Sequence, residues 1–193
     1  MSSSRQAYSE GQKATLLKVA RRSIVHGLET GRPLAVEPRD YDPALRERRA
    51  AFVTLTQAGQ LRGCIGHLQA IQPLVVDVAE NAFAAAFNDP RFNPLTAAEL
   101  DRTRIEISVL TEPEPMSVAD EEALLASLKP MVDGLILEDG AYRATFLPSV
   151  WEQLPEPRDF VLALKRKAGM PPDYWSDSMR VSRYRTISFE EAA

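Results

Sequence analysis

Apolar residues recur at helical spacing over the first thirty positions. After Ser9-Glu10-Gly11-Gln12, which has the form of a capping box, Leu16, Leu17, Val19, Ala20, Ile24 and Leu28 follow, predicting a helix to about Thr30 that Gly31 and Pro33 end. Asp40 to Arg49 is charged and holds Pro43, so it reads as a loop or a short helical turn. The period then changes from near four to two: Ala51 to Thr56 alternates as a strand, Gln57-Ala58-Gly59-Gln60 turns, and Leu61 to Gly66 returns, predicting a hairpin. From Pro73 to Phe87 the helical period comes back, with Val75, Val78, Ala79, Ala82, Phe83 and Ala86 forming a wide apolar stripe. Asn88 to Pro94 contains two prolines and cannot continue that helix.

Further along, Leu95 to Asp101 reads as a short helical piece and Arg104 to Leu110 as a half-buried strand. Glu112-Pro113-Glu114-Pro115 reads as a stiff extended linker where a second subdomain diverges. Asp120 to Leu128 suits a helix, and Val132 to Glu138 and Tyr142 to Leu147 suit strands joined at Asp139-Gly140. Pro148 to Trp151 and Phe160 to Ala168 suit helices, the second with Lys165 and Lys167 off its apolar face. Trp175 suits a core anchor, and one last strand runs near Arg180 to Ser188. Helices alternate with short hairpins, and the helix from Pro73 to Phe87 is expected to pack on the sheet of the hairpin before it.

Composition changes this picture little. The 193 residues are 45% apolar and 26% charged, ordinary for one globular domain. No apolar run approaches the roughly 18 residues a membrane span needs. Met1 to Gln6 lacks the apolar stretch of a signal peptide, and a single cysteine cannot form an internal disulfide, so the expected setting is cytoplasmic. The net charge of −4 counts against general nucleic-acid binding. Its distribution is uneven: eight acidic residues against Lys129 between Glu112 and Gly140, then seven basic residues against three aspartates between Arg158 and Arg185. A basic patch on the C-terminal part is the alternative this keeps open.

The candidate chemistry lies in Leu61-Arg62-Gly63-Cys64-Ile65-Gly66. Strand alternation puts Arg62, Cys64 and Gly66 on one face and Leu61, Gly63 and Ile65 on the other, with Leu61 and Ile65 toward the core. Two glycines around one thiol suggest a bulge, or close approach of a backbone or ligand. Arg62 beside Cys64 would favour the thiolate, whereas a lone cysteine is more often a small buried hydrophobe. His67 points away from Cys64 in a regular strand, and His26 lies in a helix with no second histidine at ligand spacing. Asp89 and Arg91 either pair locally or project toward the Arg62/Cys64 face. No dinucleotide fingerprint, phosphate-binding loop or paired-cysteine motif occurs, so no cofactor and no metal is expected.

The six-residue segment, then Asp89-Pro90-Arg91-Phe92-Asn93-Pro94-Leu95, then Ile107-Ser108-Val109-Leu110 and Ala144-Thr145-Phe146-Leu147-Pro148, resemble in order the hallmarks of the AMMECR domain family. Lys165 to Gly169 and Arg183-Tyr184-Arg185 are also similar, so the resemblance spans about residues 8–191 as one domain, with a smaller subdomain within about 113–150. It implies an α+β protein of two subdomains, the larger an antiparallel β-sheet flanked by helices, and no defined reaction. It also implies association with a Memo-like protein and a radical S-adenosylmethionine protein, as component A of the AmmeMemoRadiSam system. A small residue commonly follows the hallmark in that family, and His67 stands there in this chain, which speaks against an essential role for it. Two functions result. One is an enzyme or small-ligand protein, with Cys64 as candidate nucleophile and Arg62, Gly63, Gly66, Asp89 and Arg91 binding a small anionic ligand. The other is a non-catalytic partner-binding module of that system. A nucleic-acid role stands third.

Overall fold

The computed structural model describes residues 8–193, so the reading of Met1 to Gln6 lies outside the described residues. The fold is α+β, with two four-stranded antiparallel sheets. The chain divides into two compact units: residues 1–110 with 187–193, and residues 111–186.

In the first unit α1 (Glu10–Thr30) starts at Ser9, whose hydroxyl accepts from the Gln12 amide while the Gln12 side chain accepts from the Ser9 amide. It stops at Gly31, whose φ of 72° is accessible to glycine at little cost. A 3-10 turn at Pro38–Asp40 and the four-residue α2 (Pro43–Arg46) fill the charged stretch. β1 (Ala51–Gln57) and β2 (Gln60–Gly66) form the expected hairpin, followed by α3 (Leu74–Phe87) and, after a 3-10 turn at Ala97–Arg102, by β3 (Arg104–Leu110). One face of the sheet buries Val53, Leu55, Ile105 and Ile107 against Leu16, Val19 and Ile24 of α1 and Val75 and Val78 of α3. The other face carries the alternate residues Thr54, Cys64, Glu106 and Ser108, all half-buried.

The second unit holds β4 (Glu114–Met116), α4 (Glu121–Ser127), β5 (Gly134–Asp139), β6 (Tyr142–Phe146), α5 (Pro157–Ala168) and β7 (Arg180–Tyr184), with sheet order β4-β7-β5-β6. Glu114 and Pro115 are therefore an edge strand on β7 rather than a free linker, and an edge is where proline is tolerated. Trp151 stacks on Phe160 at 3.8 Å between centroids in a core with Leu124, Leu135, Leu137 and Val161. Lys165 is fully buried, with Nζ 2.7 Å from Glu121 and donating to the Pro172 carbonyl, so it does not lie off the helix's apolar face. Its long stem has the reach to bring the charge to those partners.

The expected last strand is two. β7 closes the second unit's sheet, and β8 (Thr186–Glu190) joins β3 in the first. The unit therefore runs to residue 186, because β7 lies between β4 and β5. No helix of the described residues is long and apolar enough to cross a membrane.

Candidate functional site

The hairpin register slips between Leu55 and Thr56: Leu55 faces Gly63 while Thr56 faces Leu61, leaving Arg62 as the extra residue of a bulge. Strict alternation fails here. Leu61 is 44% exposed instead of anchoring the core, and Ile65 alone packs inward with Gly63. A Cβ on Gly63 would run into the Ala85 carbonyl oxygen, and one on Gly66 would run into the Phe52 ring and the Ala51 carbonyl. Both glycines are thus set by close approach of protein atoms: Gly63 lets β2 lie against α3, and Gly66 makes room for β1.

The bulge sends Arg62 to the loop after α3. Its side chain is only 13% exposed; Nε donates to Glu99 Oε1 at 3.0 Å, and Nη2 donates to the Asn93 carbonyl at 2.8 Å and to Glu99 Oε2 at 3.3 Å. Nη1 is buried and finds no hydrogen-bond partner among the described residues. Glu99 also accepts from the amide and hydroxyl of Thr96, the capping box of the 3-10 turn. The Arg62 guanidinium first, and these donors after it, hold the Glu99 carboxyl down at about 2.

Asp89 and Arg91 form a second clamp of the same design. The buried Asp89 accepts from Arg91 Nε at 3.0 Å and Nη2 at 2.7 Å, and also from the Arg91 and Cys64 amides. The Arg91 guanidinium and these amides hold its carboxyl far below the usual carboxylate range. Local pairing and projection toward the hairpin, alternatives in the sequence, are both present. Phe92 lies between the clamps, its ring centroid 5.7 Å from the Arg62 guanidinium and 5.5 Å from that of Arg91. A depression of about 590 Å³ opens here, its lining mostly polar: Arg62, Arg91, Asn93, Glu99 and Arg102, with Phe92 and two prolines among them.

Cys64 joins this arrangement through its backbone. Its amide donates to Asp89, and its carbonyl lies 3.5 Å from Arg91 Nη2, whereas Sγ turns to the sheet's other partner, Thr54 Oγ1, at 3.3 Å. Burial, partly offset by Thr54 and Arg91, pushes the thiol up, and Arg62 is spent on Glu99. His67 is not a partner of Cys64: its Nδ1 lies 2.6 Å from Oδ1 of the buried Asp77, which also accepts from the Ala51 amide, Asn81 and Gln72. Among the described residues no three His, Cys, Asp or Glu side chains come together as a metal would require. The C-terminal basic run meets the acidic run of its own unit: Arg158 with Glu122, Lys165 with Glu121, Arg180 with Glu138. The segregation in sequence becomes pairing in the fold.

Sequence reasoning thus reached Arg62, Asp89 and Arg91 but missed Phe92, Glu99 and Arg102. The signal for Glu99 was Thr96-Ala97-Ala98-Glu99, a capping-box pattern opening a turn.

The AMMECR1 family profile matches residues 17–189. The chain belongs to the AMMECR1 family. A protein of Methanothermobacter thermautotrophicus is 38% identical over 185 residues, covering 95% of this chain and 96% of that one. A protein of Thermofilum pendens is 37% identical, covering 95% and 91%. The crystal structure of an uncharacterized protein from Pyrococcus horikoshii superimposes with a TM-score of 0.82 at 37% identity, over 92% of this chain and 90% of that one. In this AMMECR1-family chain the bulge is built from residues 61–66 and the Asp89 clamp from the loop that follows α3.

Proposed function

We propose that this AMMECR1 protein binds a small anion in the depression between Arg62, Arg91 and Arg102. The observation that carries this reading is the meeting of Arg62, Arg91 and Arg102 at one depression, with the Arg91 side chain 55% exposed. Guanidinium groups bind anions through strong charge-assisted hydrogen bonds. Both carboxylates grip the Nε and Nη2 edges, so the guanidiniums are held in place before any ligand arrives, which reduces the ordering cost of binding.

A half-buried thiol with a raised pKa favours this binding role over the nucleophilic one for Cys64. Memo-like and radical S-adenosylmethionine proteins are the partners that the family resemblance puts forward, and co-purification at micromolar concentration is the check on them.

The test is the melting temperature in acetate, sulfate and phosphate, each matched with chloride for ionic strength. A ligand that binds only the folded state stabilises by about 2.7 kcal/mol at a hundred times its Kd. At least one of these anions is expected to raise Tm with concentration, with a smaller slope in Arg102→Gln, whose exposed site leaves the fold intact. No anion-dependent rise in the native chain overturns the reading.

A further inference from the structure

The charged side chains that line the depression narrow the kind of anion it takes, an inference that rests on the anion-binding reading. Arg62 and Glu99 cancel there, since Glu99 accepts from Nε and Nη2 of Arg62. Two lining charges are left, Arg91 and Arg102. Arg102 is exposed and has no hydrogen-bond or ion-pair partner among the described residues, so its whole fork of N–H donors is available. Asp89 takes Nε and Nη2 of Arg91, leaving Nη1 without a partner among the described residues on a side chain 55% exposed. Asp89 itself is buried and does not line the depression, so a ligand there meets the guanidinium and not the carboxylate.

Two guanidiniums with N–H groups to spare match a doubly charged group with several acceptor oxygens better than a singly charged one. A phosphomonoester has that charge at neutral pH, its second proton leaving near about pH 6. The remainder of the lining sets the body of the ligand. Asn93 is exposed, and its side-chain amide, which can both donate and accept, has no partner among the described residues. Thr96 stands on the same lining, whereas the Phe92 ring already lies beside the Arg62 and Arg91 guanidiniums. We propose that the depression takes a small phosphomonoester with a hydroxyl-bearing body: the phosphoryl group at Arg91 and Arg102, a hydroxyl at Asn93.

The experiment is calorimetric titration of the full chain at fixed ionic strength with glycerol 3-phosphate, propyl phosphate and propyl sulfate. Glycerol 3-phosphate is expected to bind severalfold tighter than propyl phosphate, and propyl phosphate tighter than the singly charged propyl sulfate. Its affinity should fall about tenfold from pH 8 to pH 5, where only about a tenth of the ester is doubly charged, while Glu99 stays ionised throughout. Arg102→Gln should weaken all three, and Arg166→Gln, at an exposed arginine of the second unit, none. Asn93→Ala should bring glycerol 3-phosphate down to propyl phosphate. If propyl sulfate equals propyl phosphate, or affinity is the same at pH 5 and pH 8, the dianion class is overturned while anion binding stands. If propyl phosphate equals glycerol 3-phosphate, or Asn93→Ala leaves their difference unchanged, the hydroxyl-bearing body is overturned. If none of the three binds, or Arg166→Gln weakens binding as much as Arg102→Gln, the anion site itself fails.

Discussion

Glu99 and Cys64 show how one side chain's surroundings set its chemistry. Glu99 titrates near 2 in the folded protein, against about 4.3 for an unpaired glutamate. A depressed carboxyl contributes stability that is present above the unfolded value and lost as pH falls through the folded one. The free energy of unfolding by urea should therefore decline from about pH 4.5 toward pH 2, with Asp89 acting in the same direction. In Glu99→Gln the guanidinium of Arg62 stays buried without its counter-charge, at a cost of about 3 kcal/mol at pH 7. The gap between wild type and variant should close as the solution is acidified; a gap constant from pH 7 to 2.5 would show that the pair contributes no charge-dependent stability. At Cys64 the expected outcome runs the other way. Alkylation of the folded protein should rise only above the free-thiol value of about 8.5, read by whole-protein mass across a pH series.

Among the elements, the hairpin arm β2 depends on what its glycines omit. Gly63→Ala sets a methyl against the Ala85 carbonyl, backbone that cannot rotate aside, and should cost about 1–3 kcal/mol or prevent folding. Melting of Gly63→Ala beside Gly59→Ala, whose added Cβ would meet open space but whose φ is +77°, separates packing from backbone strain. The elements themselves were legible because their signals are local: period, proline, capping residues. The bulge was not, since a one-residue slip is decided by the match of β2 to β1 and to α3, and alternation read along one strand gave Leu61 the wrong face. For the same reason Arg62 was assigned to Cys64, its neighbour in sequence, whereas the structure hands it to Glu99, 37 positions away. The run from Arg180 to Ser188 read as one strand because nothing local marks the point where it changes sheets.

At the scale of the whole molecule, acidic and basic runs that are separate in sequence pair within the second unit. Glu121→Gln should destabilise more than Lys165→Met, because it leaves a fully buried ammonium unpaired, while the partly exposed Glu121 can rehydrate when the lysine is gone. Urea midpoints of the two variants check the order. The first unit, by contrast, is sewn shut by its last residues. Glu191 accepts from Arg21 of α1 at 2.6 Å and from the Ile105 amide of β3, and β8 covers the edge of β3. Residues 111–186 lie between the two parts of that unit in sequence, and they enter and leave at one point: the Thr111 amide donates to the Arg185 carbonyl, and the Arg185 amide to the Thr111 hydroxyl. On the ribosome, the inner segment is complete before the outer one has its closing strand. The β3 edge thus stays open until β8 emerges, and a nascent chain stalled near residue 186 would present that bare edge to any passing strand.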